Sequence, residues 1–198
     1  MQAVHENTEQ ESLTLWSIRD ALELDALSVT GALRTDPRMV EDEFRPAYDW
    51  IARKLAEKLR PPAGIAYPVW SWYRADGQRK PRPDLRRKWG ETGQDMALVE
   101  FSMPASDVLL SDYQTWHFPL NDWFLGRSEK EQDGFERDEA ALDPAMRRAR
   151  VEASWDAVLN WHALDAAWHG VPDDMQIQAV TWEIPSHAIH SIRTFRSR

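Results

Sequence analysis

Within VLLSDYQTWHFPLNDWFL, residues 108–125, a phenol, an imidazole and a carboxamide recur at four-residue spacing as Tyr113, His117 and Asn121. On a helix starting at Tyr113, with Asp112 as its N-cap, these three share one stripe. Trp116, Leu120, Trp123 and Phe124 then form the adjoining aromatic arc. Such a stripe can orient a ribose or a base by hydrogen bonds, and His117 can act as acid or base near neutral pH. His117 and Asn121 are therefore candidate catalytic residues, with Tyr113 as a binding residue. The same groups would also serve as satisfied polar residues at the edge of a core. Pro119 counts against a long helix, because it removes a backbone donor and kinks or ends the turn.

A second constellation begins at YPVWSWY, residues 67–73, and continues into RADGQRKPRPDLRRKW, residues 74–89. The latter carries seven Lys/Arg against two Asp, a local +5 on a chain of net charge −9, so the other 182 residues sum to −14. Guanidinium groups make planar contacts to phosphate, and aromatic rings stack on bases. That combination suits a small nucleotide-type ligand or a short single-stranded nucleic acid. Tyr73, Arg74 and Lys80 are the binding candidates; a solvated hairpin loop would have the same composition. The acidity elsewhere disfavours extended duplex nucleic acid. Glu100 and Glu183 sit in apolar strands, where a carboxylate turned inward would have a raised pKa and one turned outward would be inert.

Several chemistries are excluded. The chain has no cysteine, so disulfides, thiolate nucleophiles, Fe–S clusters and Cys-ligated zinc are absent. The histidine pairs 162/169 and 187/190 lack the helical HExxH spacing, and no metal site is expected. No GxGxxG, GxxxxGK[ST] or GxSxG pattern occurs. The start, MQAVHENTEQES, shows no apolar signal core, and no apolar run approaches the ~20 residues that span a bilayer. A cytoplasmic protein without membrane contact is the expectation.

The chain has 198 residues, 42% hydrophobic and 29% charged, enough for one domain with a substantial core. Its 11 tryptophans predict a heavily aromatic core or a core with a stacking cleft. Residues 1–12 read as a disordered lead and 13–198 as a single domain. Strands are predicted at 12–19, 67–73, 97–103, 177–184 and 188–195. Helices are predicted from Asp20 to Gly31, from Phe44 to Pro61, and from Asp143-Pro144 to Gly170. The acidic segment 126–143 lacks periodicity and reads as a mobile loop. This pattern predicts an α+β fold with a mixed, mainly antiparallel, split sheet and flanking helices.

Taken together, LWSIRDALELDALSVTGAL, FRPAYDWIARKL, YPVWSWY, KPRPDLR, LVEFSMPASDVLLSDYQTWHFPLN and IQAVTWEI resemble one uncharacterised bacterial family, a domain of unknown function of about this length. The resemblance spans nearly the whole chain and implies kinship rather than mechanism. A second likeness runs through LWSI…VTGAL, VLLSD and IPSHAIHSI, which are similar to segments of ADP-ribosyltransferase-like proteins. That group includes DNA-modifying ADP-ribosyltransferases and RNA 2′-phosphotransferases. It implies NAD as cofactor or substrate, held in a cleft between two small sheets. It also implies roles for Trp16, Ser17 and Arg19 in the first strand and for Gln178 in the late strand. The group usually carries a His or Arg in the first strand and often a Glu near the start of the late one. Gln178 is a neutral amide that cannot take a proton, which leaves Glu183 as the alternative catalytic carboxylate.

Overall fold

The apolar residues of SLTLWSIRD bury both faces of β1 (Ser12–Asp20), and this strand sits inside the main sheet. The structure is a computed structural model that describes residues 11–198. The other strands are β2 (Ala32–Leu33), β3 (Val69–Arg74), β4 (Asp95–Pro104), β5 (Leu109–Asp112), β6 (Ile177–Thr181), β7 (Ile184–Pro185) and β8 (Ile189–Arg196). Six of them form one sheet in the order β5-β6-β3-β1-β4-β8, and β2 pairs with β7 in a small second sheet. All these strand pairs are antiparallel. The one parallel contact among the described residues is an isolated bridge between Ala75 and Gly77. The expected α+β class with a split, mainly antiparallel sheet holds.

The helices are α1 (Asp25–Thr30), α2 (Arg45–Lys58), α3 (His117–Leu120), α4 (Glu129–Asp138), α5 (Pro144–Ser154), α6 (Asp156–Leu159) and α7 (Ala166–His169). Pro46 lies in the first turn of α2, and Ala47, Trp50, Ile51 and Leu55 form its buried face. That face packs into an aromatic layer: Trp50 stacks with Trp116 at 6.3 Å and meets Trp155 edge-on at 5.8 Å. On the other side of the sheet Leu13, Leu15, Val99 and Phe101 pack with Leu33 and Ile184 of the small sheet.

Four expectations are corrected. The segment 126–143 is not an aperiodic loop but contains α4, whose Phe135 stacks on Phe124 with centroids 4.0 Å apart. Only a turn and the short α3 follow Asp112, because Pro119 has no N–H to bond back to Thr115 and Asp122 turns left-handed at φ +55°; Asp112 accepts from the Thr115 N–H instead of capping a long helix. The helix predicted from 143 to 170 breaks after Ser154 and restarts, with Asp165 capping α7. The late strand bends after Thr181, so that residues 184–185 join β2. The disordered lead foreseen for 1–12 falls mostly on residues 1–10, outside the described residues; Ser12 already belongs to β1.

Tyr48 of α2 meets Tyr67, Trp70 and Trp116 edge-on, and burial raises its phenol pKa; burial does the same to Tyr67. A phenol whose folded pKa is raised contributes stability that is present below the unfolded value of about 10 and lost as pH rises beyond it. Thermal melts between pH 8 and 11 should therefore show an alkaline fall in stability that Tyr48→Phe reduces. An undiminished fall would assign it to other groups.

Candidate functional site

Strand register lines up the chemistry first. Ser111, Gln178, Trp72, Trp16 and Glu100 are consecutive cross-strand partners from β5 to β4 and so lie in one row on one face. Within the row, the Trp16 indole N–H donates to Glu100 at 3.1 Å. Trp70 Nε1, Ser71 Oγ, Ser111 Oγ and Gln178 Oε1 are buried without a hydrogen-bond partner among the described residues, and of these Ser111 and Gln178 belong to the row. Unpaired buried polar atoms cost roughly 1–3 kcal/mol each, so each calls for a physical reason.

Topology then lays the basic segment over this face. β3 and β4 both run antiparallel to β1 and flank it, so they point the same way. A connection between them must travel the length of the sheet. Residues 75–94 make that crossing, and Trp89 meets Trp72 on the way at 6.2 Å. The crossing is fixed at both ends. The Gln78 N–H donates to the Asp173 carbonyl at 2.7 Å, and the Gly93 N–H donates to the Ser197 carbonyl at 2.9 Å. Gly77 allows the first anchor: its φ is +73°, and a Cβ there would lie 2.8 Å from the Asp173 carbonyl oxygen.

From Trp72 the rings continue into the first candidate stretch. Tyr113 lies 5.2 Å from Trp72, and His117 lies 5.2 Å from Tyr113. His117, Tyr113, Trp72 and Trp89 thus form one half-exposed ring row, which unites the two regions picked out in the sequence. Two of the loop's cations are neutralised: Arg86 pairs with Asp84 at 2.7 Å, and Arg87 pairs with Asp76 at 3.0 Å. The hydrogen bond from Arg86 holds the Asp84 carboxyl well below the usual carboxylate range. Arg79, Lys80, Arg82 and Lys88 are exposed and make no ion pair among the described residues.

Two clefts border the row. β1 and β3 register only at Trp16 and Trp72, and beyond that point a cleft of about 320 Å³ opens. Trp16, Tyr73 and Arg74 line it together with Thr14, Gln78 and Pro81. The Arg74 guanidinium lies over Tyr73 at 5.1 Å and Trp161 at 5.6 Å, a cation–π setting without a carboxylate. The other cleft, about 410 Å³, lies between the basic loop and the residues flanking Tyr113. Both volumes fall within the roughly 300–1,000 Å³ of small-molecule sites.

The remaining sequence candidates lie elsewhere. Ser17 and Arg19 alternate with Trp16 and so face the opposite side of the sheet. There the Ser17 hydroxyl donates to the Trp70 carbonyl at 3.3 Å, and Arg19 pairs with Glu23 and donates to the Arg34 carbonyl at 3.0 Å. Glu183 accepts from Arg34 at 2.8 Å. It lies past the bend after Thr181, next to the segment that joins β2, while Ile177 pairs with Asp112 beside the ring row. Asn121 donates its amide to the His117 carbonyl at 2.7 Å, and His117 Nδ1 lies 3.1 Å from the Tyr113 carbonyl oxygen, so both take part in local turn bonds. His117, Arg74 and Gln178 do not line a common cleft among those described. Trp72, Trp89 and Asp112, whose positions matter most, are residues that sequence reasoning treated as strand, loop end and cap. The aromatic residues flanking the basic segment were the one signal for the first two.

No cluster of His, Cys, Asp and Glu suited to a metal ion occurs among the described residues. No helix among them is long and apolar enough to cross a membrane. Residues 14–190 match the model of a family described as a domain of unknown function, DUF3841. No curated protein and no solved structure matches the chain.

Proposed function

We propose that this chain, which belongs to the DUF3841 family, binds a nucleotide-type ligand, free or at the end of a single strand. The supporting observation is the ring row that carries Trp72 and Tyr113 up to Trp89 in the basic loop. Ring edges and faces there offer a base a stacking surface, while Arg79, Lys80, Arg82 and Lys88 offer phosphate unpaired positive charge. The reading is of binding rather than turnover, because His117, Asn121 and Glu183 do not converge.

The test is tryptophan fluorescence and thermal shift of the purified chain with ATP, NAD and a short single-stranded oligonucleotide. Tyr113→Ala should weaken binding roughly 10-fold, since stacking contributes about 1–3 kcal/mol per base. If no nucleotide alters fluorescence or melting, the reading fails. NAD belongs in the panel for its two rings and pyrophosphate. Nicotinamide release in the same incubation would turn the proposal from a binding protein to an ADP-ribosyltransferase-like enzyme.

A further inference from the structure

We infer that the cleft beside Tyr113 takes the ribose hydroxyls of the ligand, so that the protein selects ribonucleotides over 2′-deoxyribonucleotides. This rests on the nucleotide reading above and adds the sugar to it. The cleft is lined by Asp76, Arg87, Asp112, Gln114, Asp174 and Gln176, among others. Asp112 and Gln114 flank Tyr113 of the ring row, and Asp76 and Arg87 belong to the basic loop. A base against the rings and a phosphate on the loop therefore bring the middle of a nucleotide over this cleft.

Asp112 supplies the chemistry. The residue is only 3% exposed, and one carboxylate oxygen, Oδ2, accepts from the Thr115 N–H at 2.7 Å. The other oxygen has no hydrogen bond among the described residues. Asp112 lines the cleft, so its free oxygen is an acceptor open to a donor there. Its neighbours in the cleft are committed elsewhere. Gln114 donates to Gln176 Oε1 at 3.1 Å, Gln176 donates to the Ala75 carbonyl at 2.8 Å, and Arg87 pairs with Asp76. A ligand seated in the cleft can supply the donor. Ionised phosphates only accept, and with the base on the rings and the phosphate on the loop it is the sugar that lies over Asp112. The vicinal 2′- and 3′-hydroxyls present two O–H donors to the carboxylate, and 2′-deoxyribose removes one. Protein recognition of the 2′-hydroxyl is a general means of telling the two sugars apart.

The experiment is a fluorescence titration of the full chain with AMP and GMP, each against its 2′-deoxy counterpart, in the parent and in Asp112→Asn. The variant keeps a carboxamide oxygen to accept from Thr115, so the turn has its acceptor. The parent should bind each ribonucleotide roughly 10-fold or more tightly than its deoxy form, and the ratio should fall towards one in Asp112→Asn. Equal binding of ribo and deoxy forms by the parent overturns the inference while leaving the nucleotide reading intact. A preference that persists unchanged in Asp112→Asn removes Asp112 from the account. If none of the four ligands binds, both proposals fall. The parent ratio needs no variant, so a destabilised Asp112→Asn protein would not leave the inference untested.

Discussion

Trp155→Ala should lower the stability of the folded chain by about 3–5 kcal/mol, the largest single-residue effect expected here. Trp155 is fully buried at the junction of α5 and α6. Its ring meets Trp50 edge-on at 5.8 Å and lies under the Arg148 guanidinium at 5.3 Å, and its indole N–H donates to the Trp123 carbonyl at 2.9 Å. Truncation to alanine removes all three contacts and leaves a void that surrounding helices can only partly close. For a chain of this length each kcal/mol moves the melting temperature by roughly 2–4 °C, so a fall of roughly 6–20 °C should appear in a thermal scan. Trp155→Phe, which keeps most of the ring volume but loses the donor, should lie between parent and alanine variant. A shift of only a degree or two for Trp155→Ala would mean that this aromatic layer is not what holds the helices to the sheet.

The same layer shows what the sequence could and could not disclose. The face of α2 was readable from Ala47, Ile51 and Leu55 because helical spacing is a local property. The helix α4 was missed although Ser128-x-x-Glu131 marks its start. Ser128 accepts from the Glu131 N–H, while Glu131 accepts from the Arg127 N–H at 2.9 Å. Its low apolar content hid it, since Phe135 alone is buried. The row from Ser111 to Glu100 was not readable at all. It depends on the register of strands separated by tens of residues, and a slip of one residue would send every side chain to the other face. Hence Trp16, placed in sequence with Ser17 and Arg19, lines the β1–β3 opening with Tyr73 and Arg74 instead, while Ser17 and Arg19 point away. The tryptophans and the basic segment were visible as composition, but only the crossing of residues 75–94 puts Trp89 against Trp72.

On the nucleotide proposal, that crossing makes the charge of the loop the most sensitive control on binding. Alanine at Arg79, Lys80, Arg82 and Lys88 together would reduce the segment from seven Lys/Arg to three and take its local charge from +5 to +1. None of the four is buried or in an ion pair among the described residues, so melting should change little. Binding of a short single-stranded RNA, in contrast, should fall by about 100-fold at low salt. Each phosphate contact to a single strand contributes a slope of about 0.7 in the logarithm of affinity against that of salt. Loss of four contacts should therefore flatten the slope by nearly three. Arg74 would behave differently if replaced alone, because its guanidinium is stacked between Tyr73 and Trp161 and its loss would also disturb the cleft wall. An RNA affinity that stays strong and steeply salt-dependent in the fourfold variant would place the anion contacts on another surface. Weak, salt-insensitive binding by the parent would instead mean that the rings act without the loop. Only a joint loss of affinity and salt slope, at unchanged melting temperature, ties the phosphate of the ligand to the strap that crosses the tryptophan face.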